Sequence, residues 1–333
     1  MADRRADLNR RLALLALGGA LALPHRALSQ APSQVPSTDA AQDSAKKSSV
    51  FLDYDQTALD RAYDQRVWAP NAAEVIKRYA TDSASVRERL PFRTVRYGPS
   101  PDETMDLFGI TDGRRPIHVH LHGGAWRALT KEDASFLAPP VVEAGAVFAA
   151  LNFAVIPQVR LPEMVDQCRR AIAWLHAYAG AIGGDPAQIH VSGHSSGAHM
   201  AGVLMTGDWT AHGLPPGVVR SGVLVSGMYD LSPVLLSSRS GYVTLSKQEI
   251  RDLSPIHHLE RFTGTALICY GLDESPEFQR QSRDFAAELA RRGKRLGLVP
   301  LPGRNHFEAP YVLVDPGSEA ARLALSLMRS TEG

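Results

Sequence analysis

One pentapeptide constrains this chain more than any other feature: Gly193-His194-Ser195-Ser196-Gly197. It follows the apolar run Ile189-His190-Val191 and opens a small-residue segment beginning Gly197-Ala198-His199-Met200-Ala201. Strand, tight turn, then helix is the context in which G-x-S-x-G forms a nucleophile elbow. Such a turn exposes the serine hydroxyl on a strained backbone, and its glycines avoid collisions with neighbouring backbone. The pattern also arises by chance in Ser/Gly-rich loops, so its weight depends on what else the chain carries.

Upstream, His122-Gly123-Gly124-Ala125-Trp126 ends the strand-like run Ile117-His118-Val119-His120-Leu121. A strand that ends in two glycines leaves backbone N–H groups pointing into a crevice. With the N–H of Ser196, just after the nucleophile, they are suited to stabilise the oxyanion of a tetrahedral intermediate. The expected oxyanion donors are therefore Gly123, Gly124, Ala125 and Ser196. The plainer alternative is a Gly-Gly turn between strand and helix.

Downstream, Ala266-Leu267-Ile268-Cys269-Tyr270-Gly271 has a buried-strand pattern and Asp273 lies just past it. Leu298-Val299-Pro300-Leu301 is another apolar run, followed by Gly303-Arg304-Asn305-His306-Phe307. The order Ser195, Asp273, His306 is serine, acid, histidine, unlike the orders of chymotrypsin and subtilisin. Here His306 is expected to take the proton from Ser195, and Asp273 to hold the imidazole tautomer. Asp230, which also follows an apolar strand pattern, is the alternative acid, and Glu274 and Glu277 stand close to Asp273. His194, inside the elbow, and His199, on the helix behind it, are expected to be structural.

The rest of the chain fits one α/β domain. Strand patterns at Phe92–Tyr97, Ile117–Leu121, Val147–Phe153, Ile189–Val191, Val223–Val225, Ala266–Tyr270 and Leu298–Leu301 alternate with helical ones. That alternation predicts a mostly parallel sheet flanked by helices. The best helices are Pro162–Tyr178, Pro276–Arg292 and a final one capped by Ser318 and running to Met328; a short one is expected from Asn71 to Tyr79, with Asn71 as its cap. The segment from Gly227 to Thr265 is too short and too rich in proline and serine for a large separate lid. Ligands in open α/β sheets bind at the carboxyl ends of strands, where all three proposed catalytic residues fall.

Formal net charge is +1, which gives no reason to expect nucleic acid or an anionic surface as partner. The two cysteines, Cys168 and Cys269, read as small buried hydrophobes. Residues 1–29 carry Arg4, Arg5, Arg10 and Arg11, then an apolar run from Leu12 to Leu23 that is too short to span a bilayer. Ala27-Leu28-Ser29 supplies small residues at a cleavage spacing. This reads as an export signal, and Asn9-Arg10-Arg11 resembles a twin-arginine motif with Asn in the usual Ser/Thr position. A periplasmic or secreted protein is expected, with no stable membrane insertion. Residues 30–49 read as a disordered linker and 50–333 as the folded domain.

Four segments together resemble the arylformamidase (kynurenine formamidase-like) and carboxylesterase branch of the α/β-hydrolases. They are His122–Trp126, Gly193–His199, Ser226-Gly227-Met228-Tyr229-Asp230-Leu231-Ser232-Pro233 and Gly271-Leu272-Asp273-Glu274-Ser275-Pro276-Glu277-Phe278. Leu59–Tyr63 and Val67–Asn71 are similar to that group's N-terminal segment. The resemblance implies an α/β-hydrolase fold and a Ser-Asp-His hydrolase that needs no cofactor or metal. Its implied substrates are small esters or amides, aryl formamides among them. By the same resemblance Ser195 is nucleophile, Asp273 acid, His306 base, and Gly123, Gly124 and Ala125 the oxyanion loop. Export points toward a xenobiotic or plant-derived ester, amide or carbamate. Trp126, Phe153, Tyr229, Phe278 and Phe307 adjoin these segments and are candidates to line an apolar pocket.

Two rival readings remain. His118, His120 and His122 alternate along one strand pattern, and an H-x-H pair at a strand end can bind zinc. A catalytic zinc needs a third protein ligand, and no further cluster is evident. A binding module on a hydrolase scaffold is the second, but such modules usually lose the serine, the acid or the histidine.

Overall fold

The computed structural model describes residues 49–329. The export segment and linker residues 30–48 lie outside the described residues. Eight strands form one sheet: β1 (Phe92–Arg96), β2 (Thr104–Phe108), β3 (Arg115–Leu121), β4 (Val147–Leu151), β5 (Gly184–His194), β6 (Val219–Val225), β7 (Thr265–Gly271) and β8 (Arg295–Leu301). Their order is β1-β2-β4-β3-β5-β6-β7-β8. β2 pairs antiparallel with both β1 and β4, and every other pairing is parallel. Only β2 had no counterpart among the sequence patterns.

Side-chain alternation along each strand divides the core into two layers. Val147, Ala149 and Leu151 of β4 face one cluster, while Phe148 and Ala150 face another. On β6 and β7, Leu224, Ala266 and Ile268 join the first cluster, and Val223, Val225, Leu267 and Cys269 line the opposite face. The helices, in chain order, are α1 (Gln56–Tyr63), α2 (Ala72–Arg89), α3 (Ala138–Glu143), α4 (Leu161–Tyr178), α5 (Ser196–Met205), α6 (Ser232–Leu236), α7 (Lys247–Asp252), α8 (Pro276–Arg291) and α9 (Glu319–Arg329). α4, α5 and α8 place Val165, Cys168, Ile172, Leu204, Phe278, Phe285 and Leu289 in the first layer. α2, α3 and α9 cover the other face through Val75, Tyr79, Val141, Ala320, Ala324 and Met328. The two cysteines are therefore on opposite faces of the sheet, and both are free thiols.

The connection from β6 to β7 consists of α6, α7 and short 3-10 turns, as its composition predicts. The expected cap of α2 is different. Asn71 precedes the helix but makes no side-chain cap bond. Its amide donates instead to Glu308 at 2.8 Å and accepts from Asn305 at 2.8 Å. Tyr79 on the same helix donates to the Phe307 carbonyl. α2 and the residue that precedes it thus hold the loop that carries His306. No helix among the described residues is long and apolar enough to cross a membrane.

Candidate active site

The elbow sits where β5 ends. Ser195 has φ 57° and ψ −122°, a region that costs a non-glycine residue energy and persists only when its surroundings enforce it. They do so by close approach. A Cβ on Gly193 would lie 2.3 Å from the backbone of Gly197, and one on Gly197 would lie 2.1 Å from the Leu121 carbonyl oxygen. The Ser195 N–H donates to the Val225 carbonyl at 2.9 Å, tying the elbow to the end of β6.

His306 brings the remote segments together. Its Nε2 lies 2.9 Å from Ser195 Oγ and its Nδ1 lies 3.0 Å from Glu274 Oε2. The partners assign the tautomer: Nδ1–H donates to the carboxylate, and Nε2 accepts from the hydroxyl. Glu274 has a fully buried side chain, and its second oxygen accepts from the Gly271 N–H at 2.6 Å and from the Ser226 hydroxyl. Ser226 also has a positive φ, 55°, and its own N–H donates to the Cys269 carbonyl at 2.8 Å. The carboxylate is thereby fixed from two sides before it meets the imidazole.

This corrects the expected partner of His306. Asp273 is exposed, and its backbone N–H donates to the Arg304 carbonyl at 3.2 Å. The turn after β7 rotates it outward and rotates the next residue inward, where the longer glutamate side chain reaches the ring. Asp230 is also displaced from the role of acid: its carboxylate accepts from the Ser232 N–H at 2.8 Å, at the start of α6. Glu277 is buried but is held by Arg280 at 2.7 Å and by the Tyr63 hydroxyl at 2.9 Å.

The glycine loop lies against the elbow. Gly124, Ala125 and Trp126 have φ of 102°, 55° and 61°. Gly123 is so close that a Cβ there would stand 2.9 Å from the His194 carbonyl oxygen and 3.4 Å from Ser195 Cβ. The Trp126 N–H donates to Ser196 Oγ at 3.2 Å, pinning the loop to the first residue of α5. The N–H groups of Gly123, Gly124 and Ala125 find no acceptor among the described residues, which leaves them free for an anion.

The surrounding histidines are packed, and burial holds them neutral. It lowers His122 and His199 to about 4 and takes His194 well below its ordinary value. His199 Nε2–H donates to the Leu253 carbonyl at 2.7 Å while its Nδ1 accepts from the Trp126 indole at 3.3 Å. His194 donates to the His306 carbonyl at 2.8 Å. The H-x-H pair does not converge on a metal: His118 and His120 share the Ser192 hydroxyl at 2.7 and 2.8 Å, and His122 stacks on Phe153. Among the described residues no group of three His, Cys, Asp or Glu side chains is placed to hold a metal ion.

Of the five aromatics, Phe278 and Phe307 pack edge-on against the His306 ring, at centroid distances of 4.8 and 5.3 Å. Trp126 lies edge-on to His199, Phe153 stacks on His122, and Tyr229 stacks on Phe285. Sequence reasoning gave no role to Ser226, which orients Glu274, or to Asn305 and Tyr79, which hold the histidine loop, and it gave Asn71 only the role of a helix cap. Asn305 two residues past Gly303 is a turn signal of the kind that could have been read, because its side chain accepts from the Phe307 and Glu308 N–H groups.

Comparison with known proteins shows which families the chain resembles. Residues 105–211 match a family model described as BD-FAE. The chain is 28% identical over 284 residues to a kynurenine formamidase of Danio rerio, covering 81% of this chain and 95% of that one. It is 28% identical over 239 residues to the esterase LipQ of Mycobacterium tuberculosis, covering 64% of this chain and 56% of that one. A candidate thioesterase from Silicibacter sp. superposes with a TM-score of 0.70 at 25% identity, covering 82% of this chain and 99% of the other. The carboxylesterase EstE1, from a metagenomic library, superposes with a TM-score of 0.64 at 18% identity, covering 78% and 95%. The chain has the α/β-hydrolase fold and is similar along most of its length to kynurenine formamidases and along part of it to esterases.

Proposed function

We propose that this protein is a serine hydrolase that cleaves small esters or amides through an acyl-enzyme, with Ser195, His306 and Glu274 as its catalytic unit. The observation that carries this reading is His306, bonded at once to Ser195 Oγ at 2.9 Å and to Glu274 at 3.0 Å. His306 takes the hydroxyl proton as Ser195 attacks the substrate carbonyl. Glu274 keeps Nδ1 protonated and stabilises the imidazolium. The N–H groups of the Gly123–Ala125 loop and of Ser196 receive the oxyanion. His306 then protonates the leaving alcohol or amine, and water cleaves the acyl-enzyme by the same route.

Aryl formamides are a proposed substrate class, supported by the similarity to kynurenine formamidases along most of the chain. Short esters are the second class, supported by the esterase relatives. A panel of p-nitrophenyl esters of increasing acyl length, the matching anilide and carbamate, and N-formylkynurenine tests both, with and without phenylmethylsulfonyl fluoride. Inhibitor-sensitive cleavage with a formamide preference supports the first class; cleavage of short esters alone supports the second; inhibitor-resistant cleavage sinks the mechanism. Export is a further proposal. It rests on residues 1–29, and fractionation of cells expressing the full chain tests it.

A further inference from the structure

Arg239 lies on a 3-10 turn, Ser238–Gly241, in the connection from β6 to β7, and is 8% exposed. Burying a guanidinium removes it from water, so such groups are ordinarily paired with a carboxylate. Arg239 is not. Its Nη2 donates to the Tyr63 carbonyl at 2.9 Å, its Nη1 approaches Met228 Sδ at 3.6 Å, and no carboxylate among the described residues pairs with it. The buried Glu277 is already held by Arg280 and Tyr63. The contrast with Lys131 is direct: that buried ammonium lies 3.0 Å from the buried carboxylate of Asp106.

Three rings surround the unpaired cation. Its Cζ lies 5.7 Å from the ring centre of Tyr63 and 5.8 Å from those of Trp126 and Phe278. Two of those rings border the catalytic unit. Trp126 directly follows Ala125 in the oxyanion loop, and Phe278 packs on His306 at 4.8 Å. Met228 stands two residues after Ser226, which bonds Glu274. The guanidinium therefore lies between the loop that receives the oxyanion and the loop that carries the acid. A planar donor fork there matches the geometry of a carboxylate.

We propose that Arg239 is a specificity residue that binds a carboxylate of the substrate, so that the preferred esters or amides are anionic. The proposal rests on the serine-hydrolase reading above. Two matched pairs test it: p-nitrophenyl hydrogen glutarate against p-nitrophenyl pentanoate for the acyl side, and 4-acetoxybenzoate against its methyl ester for the leaving side. In at least one pair the anionic member is favoured in kcat/KM, and Arg239→Gln lowers that preference by roughly tenfold or more, carried mainly by KM. Arg239→Lys, which keeps the charge but loses the fork, retains part of it. A purely structural arginine predicts equal losses on both members, and an unchanged ratio in both pairs overturns the proposal. Calorimetric titration of the full-length protein with glutarate and with 4-hydroxybenzoate separates this site from the chemistry. Binding lost in Arg239→Gln supports the site even if no ester is cleaved, which would sink only the hydrolase reading. Binding equal in both proteins, or absent from both, overturns the site. Arg239→Met repeats the comparison should the glutamine variant fail to fold.

Discussion

Glu274, not its neighbour Asp273, meets His306: Glu274 Oε2 stands 3.0 Å from His306 Nδ1, while the Asp273 side chain is exposed. Two adjacent acids in the same turn thus have separate environments, and only the buried one is held by Gly271 N–H and the Ser226 hydroxyl.

Glu274→Gln is expected to lower kcat by roughly 10³- to 10⁴-fold, because the amide no longer favours the Nδ1–H tautomer or stabilises the imidazolium. Asp273→Asn should leave kcat nearly unchanged. Steady-state kinetics on one ester decides between them, and a larger loss in Asp273→Asn would overturn the assignment. Ser226→Ala should give a smaller loss than Glu274→Gln, since it removes one of the two groups that orient the carboxylate.

Ser195→Ala is expected to abolish most activity while melting like the parent. His306→Ala should cost nearly as much, and the double variant little more, because the groups act as a unit. Mass spectrometry after treatment with phenylmethylsulfonyl fluoride should place the adduct on Ser195. An adduct on another serine, with Ser195→Ala still active, would refute the nucleophile.

Gly197→Ala should destabilise the fold by about 3 kcal/mol or more, since its Cβ would stand 2.1 Å from the Leu121 carbonyl oxygen and neither backbone can move freely. Gly180→Ala, where nothing lies within 4 Å of the added carbon, serves as the control and should shift stability by under about 0.5 kcal/mol. Thermal melts of the two variants test this, and similar melting points would show that the elbow is not tightly packed.

Acid should destabilise the protein well before its carboxylates titrate. Burial lowers His118 and His122 to about 4, and His120 and His190 to about 3. These rings are neutral when folded and protonate near 6.5 when unfolded, so their contribution is complete above about pH 6.5 and is lost as pH falls toward 4. For His118 alone the shift is worth on the order of 3 kcal/mol. Melting temperature measured from pH 8 to pH 4 should fall steeply in that window, and His118→Gln should flatten the slope. A flat profile would show that the buried rings are reached by water.

By itself the sequence determined the repeating physics: strand and helix periods, glycines where only hydrogen fits, and the order of serine, acid and histidine along the chain. Local signals of this kind act between residues a few positions apart, so the elbow at Ser195, the loop at Gly123 and the turn bearing His306 were all legible. β2 was not, because Thr104–Phe108 is short and has a charged residue, Asp106, at its centre, which is buried only once the strand lies between β1 and β4. Nor was the choice of Glu274, since a rotation of one residue at the end of β7 decides which side chain faces inward. Asn71 reads as a helix cap until Asn305 and Glu308, more than 200 positions away, offer it better partners. The same holds for Arg239, whose charge is ordinary in sequence and unpaired only once Tyr63, Trp126 and Phe278 close around it. These outcomes belong to tertiary structure because burial, hydrogen-bond partners and electrostatic environment are set by which distant segments meet.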